Sequence, residues 1–292
     1  MNKLKINTLG KYIQLCRLDN PIGIWLALLP CIASLIQASD GIPNLNRLFI
    51  FSLGAIMLRS IGCTINDIFD RNFDCNVERT KNRPIANSTI SVINAIYFLI
   101  LQCIFCIPLI FFINKNCLLL SILLIPLIIF YPLCKRITYW PQLILGICFN
   151  FGILMAWIDT RNNLSLSAIF MWLGSIFWQI GYDTIYAYSD IKDDLKIGIK
   201  STAILFKESG KKYISIFYIL TIIMWTINGI LLSYNRLYFL GILIISIHFI
   251  WQVFSFNINL TFNDDKYKNI KIFRSNLLIG VIVTIVSYLG LF

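Results

Sequence analysis

Charge is scarce in this chain: only 13% of its 292 residues are Asp, Glu, Lys or Arg, while 58% are hydrophobic. An ordinary soluble domain carries about a quarter of its residues as charges. With a mean hydropathy of +0.76, the chain lacks the means to cover a water-facing surface. It has a single histidine, His248, inside an apolar run, which argues against a histidine-built metal site or a histidine-based triad. That side chain is expected to make an interhelical hydrogen bond. Nine cysteines are an odd number, and most sit in apolar runs, so they read as small packing residues and not as a disulfide framework. Cys103 and Cys106 have redox-motif spacing but no polar neighbours, and are read as packing too. No low-complexity linker or composition break divides the sequence. One domain over 1–292 is the expectation. No cleavable signal peptide and no Arg- and Ser-rich transit segment is apparent at the start, which favours a bacterial plasma (inner) membrane.

What the chain has in abundance is apolar runs. Nine are long enough to span a bilayer: 22–39, 47–64, 89–113, 117–134, 142–158, 165–183, 213–233, 236–254 and 273–290. Pro108 and Pro126 fall inside two of them and are expected to kink helices that packing can still support. The cations sort by alternate connections. Twenty of the 25 Lys and Arg lie on one face, from Lys3, Lys5, Lys11 and Arg17 to Lys266, Lys268, Lys271 and Arg274, whereas Arg47, Lys115, Arg161 and Arg236 lie on the other. The positive face is cytoplasmic. The N-terminus is therefore expected inside, and the C-terminus outside after nine crossings. A net charge of +11 spread over membrane-flanking loops fits anionic lipid and topology; no nucleic-acid partner is expected.

Two acidic clusters stand at the cytoplasmic ends of apolar runs: Asn66-Asp67-Ile-Phe-Asp70-Arg-Asn-Phe-Asp74, and Asp183 through Asp190, Asp193 and Asp194. Carboxylates beside a bilayer are costly and mark function. The intervals from 67 to 70 to 74, and from 190 to 194, put oxygens along one helix face. One cluster follows the second run and the other the sixth. This points to an all-α bundle of two four-helix pseudo-repeats plus one helix, with the clusters facing each other across a central cavity. Oxygen-only donors with few ligands per segment suit Mg2+ carrying a phosphate group. With nearby Lys and Arg for the phosphate oxygens, the clusters read as jaws for a Mg2+-diphosphate. A site in the bilayer calls for a diphosphate with a long hydrocarbon tail, such as an isoprenyl diphosphate, whose allylic carbon ionises to a cation that aromatic faces stabilise. Phe69, Phe149, Phe177, Trp178 and Tyr186 are candidate rings.

The first cluster matches the NDxxDxxxD motif of the intramembrane aromatic prenyltransferases (UbiA superfamily). Arg79-Thr-Lys-Asn-Arg83-Pro84 resembles the stretch that follows it there. Tyr131-Pro-Leu-Cys-Lys135 resembles their YxxxK element, and Asp190-Ile-Lys-Asp193-Asp194 their second acidic motif. More narrowly, Tyr182 to Asp190, Lys196 to Thr202, Arg17-Leu-Asp-Asn-Pro21 and Lys135-Arg136-Ile-Thr-Tyr-Trp-Pro141-Gln are similar to the 4-hydroxybenzoate polyprenyltransferases of ubiquinone biosynthesis. The likeness runs in order from about residue 12 to 206.

The resemblance implies a nine-helix bundle. It implies Mg2+-diphosphate binding by Asn66, Asp67, Asp70, Asp74, Asp190 and Asp194, phosphate-oxygen contacts from Lys135, Arg71 and Lys200, and the acceptor's carboxylate on Arg136, whose planar fork would grip a benzoate. Polyprenyl diphosphate and 4-hydroxybenzoate are the implied partners. Ionisation, attack by the ring carbon ortho to the phenol, and loss of the ring proton would follow, with Asp190 or Asp193 as proton acceptor. Arg59, two turns deeper than the first cluster, is expected to counter that charge or touch the acceptor. Rival readings are a related enzyme acting on a naphthoate, homogentisate or haem, and a secondary transporter. Carboxylates at helix ends on one side only suit catalysis better than alternating access.

Overall fold

The computed structural model describes residues 8–258 and 263–292, without side chains at 263–266. Lys3 and Lys5, and the side chain of Lys266, lie outside them. Every regular element among the described residues is helical. A short α1 (Thr8–Leu15) precedes α2 (Ile22–Ser39), α3 (Leu45–Asp74), α4 (Val92–Cys106), α5 (Lys115–Ile137), α6 (Pro141–Arg161) and α7 (Leu166–Tyr188). Two short helices follow, α8 (Ile191–Ile197) and α9 (Thr202–Phe206), and then α10 (Gly210–Leu231), α11 (Arg236–Ser255) and α12 (Asn263–Leu289). The nine long helices correspond one for one to the nine apolar runs. Among the described residues, eight are long and apolar enough to cross a membrane, α4 counting with the 3-10 turn after it and α10 with α9 before it. The exception, α7, carries Gln179, Tyr182 and Asp183 and is largely buried in the bundle.

Local chemistry sets the helix ends. Asn44, Ser91, Asn114, Ser165 and Asn235 each accept a backbone N–H of the first turn of α3, α4, α5, α7 and α11, satisfying donors that a helix start leaves open. Asp40 and Asn162 close α2 and α6 in the left-handed conformation. The third apolar run does not stay α-helical: one residue before Pro108 the backbone tightens into a 3-10 turn over Ile107–Phe112, because proline removes a helical donor. Pro126 lies within a continuous α5. The largest departure from the apolar pattern is α3, thirty residues long. It continues beyond its apolar part through the whole first acidic cluster, because cations from other segments neutralise the carboxylates there.

The helices form a ring. Each of α3, α5, α6, α7, α12 and α2 packs on the next, with α2 closing back on α3 and also packing across on α6. On its second-half side α7 packs against α10, and α11 covers α10 and α12. Here the core is dense: Trp178, Trp225, Tyr218, Tyr238 and Phe249 belong to one buried cluster with Ile245, Ile279 and Val283. By contrast, α4 buries only Ala95 and turns Ile96, Tyr97, Ile100 and Phe105 outward, as a lipid-facing helix does. His248 joins α11 to α12 through Ser275 Oγ at 3.0 Å, the interhelical bond expected of it.

The α7–α10 contact depends on two glycines. A Cβ at Gly174 would lie 2.5 Å from Trp225, and one at Gly181 would lie 2.3 Å from Tyr218. Small residues let membrane helices approach closely. Tyr218 cannot swing aside, since its ring stacks on Phe249 at 4.0 Å and its hydroxyl bonds Gln252. Gly181→Ala is expected to cost about 1–3 kcal/mol of stability through overpacking. A lower thermal midpoint in detergent would register this; an unchanged midpoint would contradict it.

Candidate functional site

A cavity of about 1130 Å³ lies among the helices, lined by residues of α1 to α8 and α12 and by the loops at its acidic end. The last turns of α3 bring Asn66, Asp67, Asp70 and Asp74 to its wall. Asp67 and Asp70 are 1% and 0% exposed, a burial that carboxylates tolerate only when compensated. Each is paired. Arg17 Nη2 donates to both oxygens of Asp67 at 2.7 and 2.8 Å. Arg83 Nη1 donates to Asp67 at 3.2 Å and to Asp74 at 2.7 Å. Lys135 Nζ donates to Asp70 Oδ2. The chain after α3 folds back over the helix end, with Thr80 Oγ1 donating to the Asp74 carbonyl at 2.9 Å. This return delivers Arg79 and Arg83.

The second cluster comes from the far side. Asp190 sits at the start of α8, with Asp193 and Asp194 in its first turn. Arg79 reaches across to Asp190 Oδ2 through Nε at 2.8 Å and Nη2 at 2.6 Å, its guanidinium 5.0 Å from the Tyr186 ring. Burial pushes the Asp194 carboxyl up to about 7, with neighbouring Asp190 adding to the rise and Lys135 opposing it. Lys135 therefore acts on both clusters, bonding Asp70 and sensed by Asp194. Lys200 anchors the next loop: its backbone N–H donates to the Lys135 carbonyl at 2.8 Å and its Nζ to the Ile137 carbonyl at 3.0 Å.

Not every residue singled out in the sequence meets the cavity. Asp193 is absent from the lining and lies 3.7 Å from Lys196. Arg71 is also absent and donates back to the Ile68 carbonyl at 2.9 Å. Arg136 is exposed outside the cavity, donating to the Phe69 carbonyl at 2.8 Å with its guanidinium 4.9 Å from the Phe73 ring. Arg59 does line it, deep among Gly23, Phe149 and Asp183, 5.2 Å from the Phe149 ring centroid. Of the five candidate rings, Phe149 and Tyr186 face the cavity. Trp178 is fully buried, donating to Asn276 Oδ1 at 2.7 Å, and Phe177 stacks on Phe217. The pairing roles of Arg17, Arg79 and Arg83 are what sequence reasoning missed. Buried acids on α3 require cations, but only the folded loop says which ones.

The donor set fits Mg2+. Asp70 Oδ1 is buried with no hydrogen-bond partner, and every polar atom offered by Asn66, Asp67, Asp70, Asp74, Asp190 and Asp194 apart from one amide nitrogen is a hard oxygen. No group of three or more His, Cys, Asp or Glu among the described residues converges into a metal cage. Mg2+ commonly binds through one or two carboxylates plus substrate phosphates and water, without such a cage.

Fold and site together define a polytopic membrane enzyme whose intramembrane chamber takes an anionic head at its acidic end and an apolar tail along its walls. The chain belongs to the UbiA prenyltransferase family, whose model matches residues 27–277. The 4-hydroxybenzoate octaprenyltransferase of Francisella tularensis subsp. tularensis is 38% identical over 288 residues, covering 98% of each chain. The mitochondrial 4-hydroxybenzoate polyprenyltransferase of Drosophila pseudoobscura pseudoobscura is 38% identical over 96% of this chain and 70% of its own. In fold, the chain is similar to a UbiA homolog from Aeropyrum pernix K1 (TM-score 0.76, 18% identity, 90% of this chain and 96% of that one). It is also similar to a UbiA homolog from Archaeoglobus fulgidus bound to GPP and Mg2+ (TM-score 0.70, 19% identity, 94% and 99%).

The geometry separates two arginines of the same neighbourhood. Arg83→Ala strips a cation from two buried carboxylates and is expected to cost about 2–5 kcal/mol in stability or ligand binding, whereas Arg71→Ala should stay within about 0.5 kcal/mol. Thermal midpoints and prenyl diphosphate affinity of the two variants check this; equal losses would contradict the assignment.

Proposed function

We propose that this protein transfers a polyprenyl group from a polyprenyl diphosphate to the ring carbon ortho to the hydroxyl of 4-hydroxybenzoate, in a Mg2+-dependent reaction of ubiquinone biosynthesis. The observation that carries the reading is the convergence of both acidic motifs and Lys135 on one end of an otherwise apolar intramembrane cavity. The names of relatives 38% identical over nearly the whole chain support it. Asn66, Asp67, Asp70, Asp74, Asp190 and Asp194 hold the metal and diphosphate. Mg2+, when bound, neutralises the negative charge that develops on the leaving diphosphate.

The chain's own residues do the rest. Lys135 and Lys200, with Arg79 and Arg83 and not Arg71, which lies outside the cavity, supply the positive field at the diphosphate oxygens. As the allylic C–O bond breaks, its electron pair leaves with the diphosphate, and the faces of Tyr186 and Phe149 lie along the cavity wall to stabilise the cation. The ring carbon attacks, forming the new C–C bond, and the ring proton passes to Asp190, since Asp193 points elsewhere. Arg59 takes the acceptor's carboxylate, because it lies inside the cavity and Arg136 does not. The apolar wall excludes water, which would otherwise capture the cation. The positive-inside pattern supports a cytoplasmic acidic end and a cytoplasmic N-terminus, in a bacterial inner membrane on this reading.

Product formation tests the reading in membranes supplied with Mg2+, a short prenyl diphosphate and, separately, 4-hydroxybenzoate, a dihydroxynaphthoate or homogentisate. Prenylated 4-hydroxybenzoate alone is expected; another product would reassign the acceptor. EDTA should stop turnover and Mg2+ restore it. Asp70→Ala and Asp194→Ala should each lower turnover by about a hundredfold or more, the scale of losing a transition-state electrostatic contact, with expression intact. Substantial turnover in both would refute the metal role.

The two acceptor arginines are separable by kinetics. Arg59→Leu is expected to raise the KM for 4-hydroxybenzoate by about tenfold or more, the loss of one charge-assisted contact, with the KM for prenyl diphosphate little changed. Arg136→Ala should move neither constant appreciably. The reverse pattern would return the carboxylate to Arg136.

A further inference from the structure

The cavity wall offered by α6 is a single stripe, Gln142, Leu145, Phe149, Gly152 and Met155 among its residues, spaced as one face of a helix. Gln142 is its polar member and is only 5% exposed. Its Oε1 accepts the backbone N–H of Thr202 at 3.1 Å, one of the open donors in the first turn of α9. Thr202 is itself fully buried, its hydroxyl 2.7 Å from that of Thr184. This contact fixes which way the amide points: turned over, its NH2 would confront an N–H, donor against donor. The NH2 group is left without a protein acceptor and open to the cavity. Gln179 likewise accepts through its oxygen, but it is absent from the cavity lining; the buried amides of Gln37, Asn150, Asn228, Gln252 and Asn276 each donate to a protein oxygen.

Seven residues further along α6 is Phe149, about 10.5 Å deeper at 1.5 Å per residue, with the Arg59 guanidinium beside its ring. The cavity therefore presents a cation of α3 at depth and a neutral hydrogen-bond donor of α6 near the acidic end. A para-disubstituted benzene ring with a hydrogen bond at either end is of about the same length as that rise along α6. With its carboxylate on Arg59, the acceptor would turn its other substituent to the Gln142 end of the cavity, where Lys200 and Ser201 are also in the lining.

We propose that Gln142 is an acceptor-specificity residue, whose amide NH2 donates to the phenolic oxygen of 4-hydroxybenzoate and discriminates against acceptors that present a donor there. This rests on the functional reading above. A hydroxyl or phenolate oxygen accepts from Gln142, whereas the hydrogens of an amine at the same position oppose it. A buried donor left unpaired or opposed costs selectivity. The interaction also holds the phenol so that its ortho carbon faces the diphosphate.

The test compares 4-hydroxybenzoate with 4-aminobenzoate as acceptors for purified wild type, Gln142→Glu and Gln142→Met, with the same prenyl diphosphate and Mg2+. Glu keeps an oxygen for the Thr202 N–H while replacing the donor with an acceptor; Met removes both. The expected result is a fall of about tenfold or more in the hydroxy-to-amino ratio of kcat/KM for Gln142→Glu, one hydrogen bond's worth. Gln142→Met should give a smaller fall, with the KM for prenyl diphosphate within about twofold of wild type. A variant that merely loosened the α9 loop would slow both acceptors alike and leave the ratio unmoved. Ratios within twofold of wild type in both variants overturn the proposal. Failure of the wild type to prenylate 4-hydroxybenzoate instead overturns the functional reading on which it stands.

Discussion

Everything at the acidic end depends on neutralising buried carboxylates. Asp67, Asp70, Asp74 and Asp190 are each less than a tenth exposed, and isolated charges in such surroundings would cost far more than a fold can offset. The cations come from three separate places: Arg17 before α2, Lys135 at the end of α5, and Arg79 and Arg83 from the loop after α3. Charge compensation therefore does topological work. It ties the N-terminal turn, the α3 extension, the α5 terminus and the start of α8 into one ceiling over the cavity. Arg17 holds a left-handed backbone, φ 59°, a conformation that costs energy for a non-glycine residue; its bidentate hold on Asp67 and its bond to the Gln14 carbonyl keep it there.

The same arrangement explains why the ceiling can serve a ligand. Ion pairs made by long Lys and Arg side chains can be exchanged for phosphate oxygens without moving a helix, because the cation keeps an anionic partner throughout. Asp70 retains one oxygen with no partner, so the resting structure is compensated without being saturated. The dense half of the molecule, where aromatic residues of α7 and α10 to α12 interlock, gives this ceiling a rigid base. The half around α4 and α5 is thinner and lipid-facing, leaving room for a hydrocarbon chain.

The nine helices were legible because span length and hydropathy are local properties, each apolar run being a helix wherever the bilayer is its solvent. Pro108 likewise announced the break into a 3-10 turn. The acidic motifs were legible because helical spacing sets which oxygens share a face. Less was visible in the cations. Arg71 and Arg136 stand next to functional residues in sequence, yet a helix turns adjacent side chains roughly 100° apart, and both end up outside the cavity. Arg83, nine residues beyond Asp74, ends up bonded to it because the intervening chain reverses over the helix end.

The sequence by itself determined the class of solvent, the number of long helices, the oxygen-rich chemistry of the two motifs and their common end of the bundle. These follow from composition and from periodicities of a few residues. Only the tertiary structure decided which cation meets which carboxylate, that Arg59 and not Arg136 lines the chamber, and that the Gln142 amide oxygen meets the Thr202 N–H. Those outcomes depend on contacts between segments tens to more than a hundred residues apart, such as Arg79 with Asp190. Burial fixes them by demanding a partner for every charge, and no local pattern names which partner that is.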